Sequence, residues 1–202
     1  MRHIRELIAL TETAHPSDRF FANVDETMRL IPGARAQYGA YERAFASLDR
    51  DSRQTLRAKA IAHFTDHRTG QRKQGFFNQL NDAFAYRHLV RQGYNDVRVL
   101  PEGTTTQPDI QYTASGELKF CEVKTIGISD ELIARRATPK VVSSAIYHQL
   151  QTGFLSKLQS TLSAASRQIA AKNANGLVYT KVVVWVGEAL SDEAVQSKLH
   201  GA

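Results

Sequence analysis

The most informative part of the 202-residue chain is residues 108–124, which have the sequence PDIQYTASGELKFCEVK. The pair Ser115-Gly116 suits the centre of a two-residue hairpin turn between two strands. In that register the numbers of paired residues add up to 231, and Asp109 lies opposite Glu122 on one face of the sheet. Lys124 stands two positions beyond Glu122 and points to the same face. A shift of one residue would place the two acids on opposite faces.

This predicted patch brings together two carboxylates and one ammonium group. Two carboxylates at such close range repel each other, and one of them tends to keep its proton. A divalent cation removes this cost, and Mg²⁺ prefers carboxylate oxygens while keeping several water ligands. Lys124 could then orient the attacking water or neutralise developing negative charge during hydrolysis of a phosphodiester. The alternative is an ordinary cross-strand ion pair between Asp109 and Lys124.

The residues around the hairpin predict an α/β fold. Apolar residues recur at helical spacing before and after it, and a valine-rich run near the C-terminus is typical of a strand buried on both faces. The expected elements are a helix from Gly75 to Gln92, strands near 97–100, 109–113 and 118–125, a long helix at about 143–171 and a strand at 177–186. Their order, αβββαβ, predicts a small mixed β-sheet inside an α/β/α sandwich.

The first 70 residues have a different pattern. Apolar residues recur there at helical spacing, without strand-like alternation, which predicts three or four short helices. A polar, basic stretch at 65–73 separates this part from the rest. We therefore expect a helical N-terminal region, residues 1–70, and an α/β core, residues 71–202. The N-terminal region contains no motif to which chemistry can be attached.

Composition excludes several classes of protein. The single cysteine, Cys121, is incompatible with a disulfide framework or a cysteine-based zinc site. The sequence contains neither an apolar run long enough to span a membrane nor a secretory signal, so we expect a cytoplasmic protein without a membrane partner. With 26 basic and 20 acidic residues, the net charge of +6 is compatible with a polyanionic partner.

Residues 75–187 resemble the PD-(D/E)xK nuclease superfamily, which has a restriction-endonuclease-like core. The resemblance is carried by Pro108-Asp109, by Glu122-Val123-Lys124 and by the αβββαβ order of the predicted elements. Members of the superfamily bind one or two Mg²⁺ ions and cleave DNA or, less often, RNA. The resemblance thus implies a Mg²⁺-dependent nuclease, with Mn²⁺ as a substitute cofactor.

The resemblance also implies individual roles. Asp109 and Glu122 would be metal ligands, the carbonyl of Val123 a third ligand, and Lys124 the catalytic lysine. Many members carry an acid on the first core helix, and Asp82 is the candidate here, although glutamate is more usual at that place.

Basic residues beyond the motif are candidates for binding the phosphate backbone of a nucleic acid, with DNA expected in preference to RNA. They are Arg135, Arg136, Lys140 and Lys157. The first three are equally compatible with a solvated helix end. Cleavage of both strands would suit a homodimer with two active sites. The alternative function is that of a non-catalytic nucleic-acid-binding or assembly protein with the same fold.

Overall fold

The computed structural model describes residues 1–30, 32–66, 73–103, 107–127, 152–172 and 175–182. Within these ranges the chain forms six helices and four strands. In chain order they are α1 (Arg2–Ala14), α2 (Val24–Leu30), α3 (Pro32–Phe45), α4 (Arg50–Ala62), α5 (Gln74–Arg91), β1 (Asn95–Val99), β2 (Ile110–Ala114), β3 (Glu117–Ile126), α6 (Thr152–Ala170) and β4 (Gly176–Val182). The predicted α/β class, with a helical part first and αβββαβ after it, is confirmed.

The four strands form a mixed sheet in the order β1-β2-β3-β4. Strand β2 pairs antiparallel with both β1 and β3, and β3 pairs parallel with β4. The β2–β3 ladder runs from Ile110 opposite Cys121 to Ala114 opposite Glu117, which is the predicted register. Both turn residues, Ser115 and Gly116, have positive φ angles of 54° and 77°, as a tight hairpin between twisted strands requires.

Helices cover the sheet on both faces. Successive side chains of a strand point to opposite faces of the sheet. The side chains of Lys124 and Thr125 on β3 therefore lie on different faces. The side-chain amide of Asn81, on α5, donates to the Thr125 hydroxyl at 2.8 Å, whereas the Lys124 ammonium donates to Gln168, on α6, at 2.8 Å. The sheet therefore lies between α5 and α6.

The N-terminal helices share a hydrophobic core with the sheet. Buried side chains form one cluster that extends from Ile4 in α1, through Phe45 and Leu56, to Cys121 in β3. Burial of this apolar surface holds α3 and α4 against α5, and α1 against α3 and α4. The expected boundary between residues 70 and 71 falls outside the described residues and stays a prediction.

The described part of helix α6 covers Thr152–Ala170, whereas the sequence predicts a helix that starts at about residue 143. Residues 143–151 of that helix and residues 183–186 of the last predicted strand lie outside the described residues. None of the six described helices has the length and apolar character that a membrane-spanning helix needs. A cytoplasmic location stays a prediction.

His63 follows the last residue of α4 and connects this helix with the segment after β1. Its Nδ1 lies 2.6 Å from Asp66 Oδ2, and its Nε2 lies 2.7 Å from Glu102 Oε1. Burial works to lower the pKa of His63, but the hydrogen bonds to Asp66 and Glu102 outweigh it and raise this pKa above 6.5. The ring therefore connects the end of α4 with the segment after β1, and it donates to both acids when it is protonated.

We predict that this contact makes the stability of the protein depend on pH. Because the folded-state pKa of His63 is raised, its contribution is complete below pH 6.5 and is lost as the pH rises through the raised pKa. Urea unfolding from about pH 6 to about pH 9 should show a decline in unfolding free energy that is smaller in His63→Gln. His88→Gln, which alters a ring packed against Tyr179, is the control and should keep the wild-type slope.

Gly176 lets β4 start close to β3. A Cβ atom at this position would overlap the carbonyl oxygen of Phe120 on β3 and would come within 3.2 Å of Ile169 on α6. The backbone carbonyl cannot turn away without breaking the parallel ladder. A side chain at Gly176 is therefore incompatible with the observed β3–β4 pairing.

We predict that Gly176→Ala destabilises the protein by about 1–3 kcal/mol, the usual cost of forced overpacking. Gly153, on α6, is the control because a Cβ there meets no atom within 4 Å. Gly153→Ala should be neutral or stabilising by up to about 1 kcal/mol, since alanine is the better helix former. Denaturant unfolding of both variants tests this, and equal stabilities would contradict the close approach.

Candidate metal centre

An acid and a lysine from different helices meet in the interior. Asp82 lies on the face of α5 that packs against α4, and Lys59 lies on the facing side of α4; 3% of Asp82 and 5% of Lys59 are exposed. The Lys59 ammonium donates to Asp82 Oδ2 at 2.7 Å and to Asp109 Oδ1 at 3.3 Å. One ammonium group therefore bridges two acids that are 27 residues apart in the chain.

Asp109 directly precedes β2 and lies one residue before the first pair of the β2–β3 ladder. Its Oδ2 accepts a hydrogen bond from the Val123 backbone amide at 2.9 Å. The side chain thus continues the hydrogen bonding of the sheet beyond the end of β2. This contact fixes the Asp109 carboxylate against β3, next to Glu122. The backbone amide of Val123 thus contacts the site through Asp109. The role of the Val123 carbonyl as a metal ligand stays a prediction.

Glu122 and Lys124 lie on the same face of β3, as the alternation of a strand requires. The Lys124 ammonium donates to Glu122 Oε1 at 2.5 Å and to Gln168 Oε1 at 2.8 Å. Glu122 is only 3% exposed, and its second oxygen, Oε2, is buried without a hydrogen-bond partner in the described part of the chain. The alternative interpretation, a cross-strand ion pair between Asp109 and Lys124, is not observed, because Lys124 pairs with Glu122 on its own strand.

The charges of this site do not balance. Two lysines face three acids, Asp82, Asp109 and Glu122. Burial, together with the charges of Asp109 and Glu122, raises the pKa of Asp82 in spite of its contact with Lys59. Burial and the charge of Asp109 also raise the pKa of Glu122, although Lys124 acts in the opposite direction.

The pKa of Lys59 explains how an ion pair and a raised acid pKa coexist. Burial alone would lower the pKa of Lys59, but the charges of Asp82 and Asp109 outweigh burial and raise it. Lys59 is therefore firmly protonated, but its single charge is shared between two carboxylates. Within the described residues the site still lacks one positive charge, which a proton or a bound cation can supply.

The donor atoms fit a hard divalent cation. Carboxylate oxygens are the ligands that Mg²⁺ and Mn²⁺ prefer, and the unpartnered Glu122 Oε2 is a buried acceptor of this kind. Within the described ranges, no three histidine, cysteine, aspartate or glutamate side chains are arranged as a ready metal-binding group. Lys59 and Lys124 are the cations that contact these acids instead.

The residues expected to bind a phosphate backbone are only partly described. Arg135, Arg136 and Lys140 lie outside the described residues. Lys157 is exposed on α6, three turns before Gln168, which is a distance of about 16 Å along the helix. No described contact joins Lys157 to the acids, so it is remote from the centre of the site.

Lys59 is the one member of the site that sequence reasoning missed. The helical N-terminal region carried no recognisable motif, and Lys59 was not singled out. A signal was nevertheless present, because Leu56, Lys59 and Ala60 stand at helical spacing on one buried face of α4. A lysine inside such an apolar stripe must find a partner, since a buried unpaired charge is costly.

Comparisons of the chain with protein-family models, with curated proteins and with solved structures found no match. The arrangement of Asp82, Asp109, Glu122, Lys124 and Lys59 is therefore the basis for any functional conclusion.

Proposed function

We propose that this protein is a divalent-metal-dependent nuclease of the PD-(D/E)xK type, which hydrolyses phosphodiester bonds in nucleic acid, with DNA preferred over RNA. The proposal rests on one observation: two buried acids, Asp82 and Glu122, and the partly exposed Asp109 face only two lysines within the described residues, where Glu122 Oε2 has no partner. A bound cation would supply the missing charge and use the free oxygen. The hairpin register and the Glu-x-Lys sequence at the same place add support.

Under this proposal each residue of the site has a separate role in hydrolysis. Asp109 and Glu122 would hold Mg²⁺ or Mn²⁺, and Asp82 would bind it directly or through water. The bound cation would acidify a water molecule and stabilise charge on a phosphate oxygen. Lys124 also carries a positive charge at the site. Its contact with Gln168 keeps its ammonium group beside the acids. From there it can orient a water molecule or neutralise negative charge on the phosphate.

The preference for nucleic acid is supported by charge. The chain carries a net charge of +6 and has a calculated isoelectric point of about 9.5, which favours association with a polyanion. The roles of Arg135, Arg136, Lys140 and Lys157 in holding the backbone stay predictions. So does a homodimer, which the ratio of nicked to linear plasmid products would indicate.

We expect the purified protein to cleave plasmid DNA in the presence of Mg²⁺ or Mn²⁺, and EDTA to abolish this cleavage. Glu122→Gln removes a metal ligand, and Lys124→Met removes the ammonium group that assists the water. Each should lower the cleavage rate at least about 100-fold, the usual cost of losing an essential catalytic group. Circular dichroism should show that both variants keep the fold.

The same strand offers a matched control. Glu117-Leu118-Lys119 is a second Glu-x-Lys sequence on β3, in which Glu117 is exposed and its carboxylate lies 3.5 Å from the Lys119 ammonium. Glu117→Gln and Lys119→Met should keep wild-type cleavage. Retention of DNA in gel-shift assays without cleavage in any of several divalent metals would favour the non-catalytic binding protein instead.

A further inference from the structure

Lys59 contacts the acids in a way that Lys124 does not. The Lys59 ammonium donates to Asp82 and Asp109, and within the described residues these two carboxylates are its only hydrogen-bond partners. Lys124 also donates to the neutral Gln168, which would stay available if Glu122 bound another cation. Within the described residues, hydrogen bonds to these two acids hold the Lys59 ammonium group in place.

A cation that bridges the buried Asp82 carboxylate and the partly exposed Asp109 carboxylate has the electrostatic role expected of a metal ion at this place. Asp82 and Asp109 are two of the acids assigned to Mg²⁺ under the proposed function, on which this inference rests. An ammonium group and a divalent cation cannot both lie at bonding distance between the same oxygens, because their charges repel at close range. A metal ion bound to the oxygens that Lys59 now contacts, Asp82 Oδ2 and Asp109 Oδ1, would therefore displace the ammonium group.

We propose that Lys59 is a built-in competitor of the metal ion: in the metal-free protein its ammonium group takes the place of the cation between Asp82 and Asp109. This contact stabilises the two acids before metal binds. It also weakens metal binding, because the ion must first displace the ammonium group. Lys59 is thus a positioning residue and not a catalytic one.

The surroundings of Lys59 allow such an exchange. Leu56 and Ala60 anchor α4 in the hydrophobic core on either side of it, so the helix backbone stays in place. The flexible four-carbon stem of a lysine can swing its ammonium group aside without moving the helix. The exchange would make metal binding at the sheet depend on a residue of the N-terminal helices.

The decisive experiment is a calorimetric titration of Mn²⁺ into metal-free wild type, Lys59→Met and Lys73→Met. Methionine keeps the length of the four-atom stem of lysine and removes the ammonium group. Lys73 is the matched control, because it is also 5% exposed and pairs with a different acid, Asp18. We expect Lys59→Met to bind Mn²⁺ about tenfold or more tightly than wild type, whereas Lys73→Met should bind it with wild-type affinity.

Thermal unfolding provides the second readout. Without metal, both variants should melt below wild type, because Lys59→Met leaves the buried Asp82 without its lysine and Lys73→Met takes the lysine from the partly buried Asp18. Saturating Mn²⁺ should restore most of the loss in Lys59→Met and little of it in Lys73→Met, since only the first gains a replacement cation. If Lys59→Met does not fold, the titration is made with Lys59→Arg instead. The forked guanidinium group should contact both acids more tightly and weaken Mn²⁺ binding several-fold.

The outcomes separate this inference from the proposed function. Wild-type protein that binds Mn²⁺ while Lys59→Met binds it equally or more weakly would overturn the competitor role and leave the metal site intact. An unchanged affinity in Lys59→Arg would have the same meaning. Absence of Mn²⁺ binding in every variant would overturn both proposals. Tighter binding in Lys59→Met without cleavage of DNA would support the competitor and contradict the nuclease.

Discussion

Removal of the Asp82 and Glu122 carboxyl groups from water, next to the partly exposed Asp109, is the constraint on which the site depends. Carboxylates removed from water need counter-charges or protons, and here two lysines cannot supply enough of them. A purely structural cluster would be expected to balance its charges or to replace one acid by an apolar residue. Under the proposed function, this surplus of negative charge is what a bound cation would neutralise.

The fold supports this constraint with rigid elements. The hairpin register places Glu122 beside Asp109, and the Val123 amide fixes the Asp109 carboxylate at 2.9 Å. Helix α5 brings Asp82 from one side of the sheet, and α6 supports Lys124 through Gln168 from the other. Asp82 lies on a helix and Glu122 on a strand, and Asp109, which directly precedes β2, is held by its hydrogen bond to the Val123 amide. Such rigid support favours precise binding of a small ion.

The sequence was sufficient for the fold class and for the core of the site, because both depend on local rules. The Ser115-Gly116 turn set the register, and the register placed Asp109 opposite Glu122. The contacts of Lys59 could not be derived in this way, since they join α4 to residues 23 and 50 positions later through tertiary packing. The pairing of Lys124 along its own strand also depends on which rotamer the neighbouring Gln168 stabilises.

The central claim, that the surplus of buried negative charge is there to bind a divalent cation, is tested most directly by a crystal structure with Mn²⁺. Anomalous scattering identifies the ion independently of the protein atoms. The account predicts an anomalous peak within about 2.0–2.6 Å of carboxylate oxygens of Asp109 and Glu122, including Oε2 of Glu122. Crystals without a peak there at millimolar Mn²⁺, in which Lys59 still bridges Asp82 and Asp109, would contradict it.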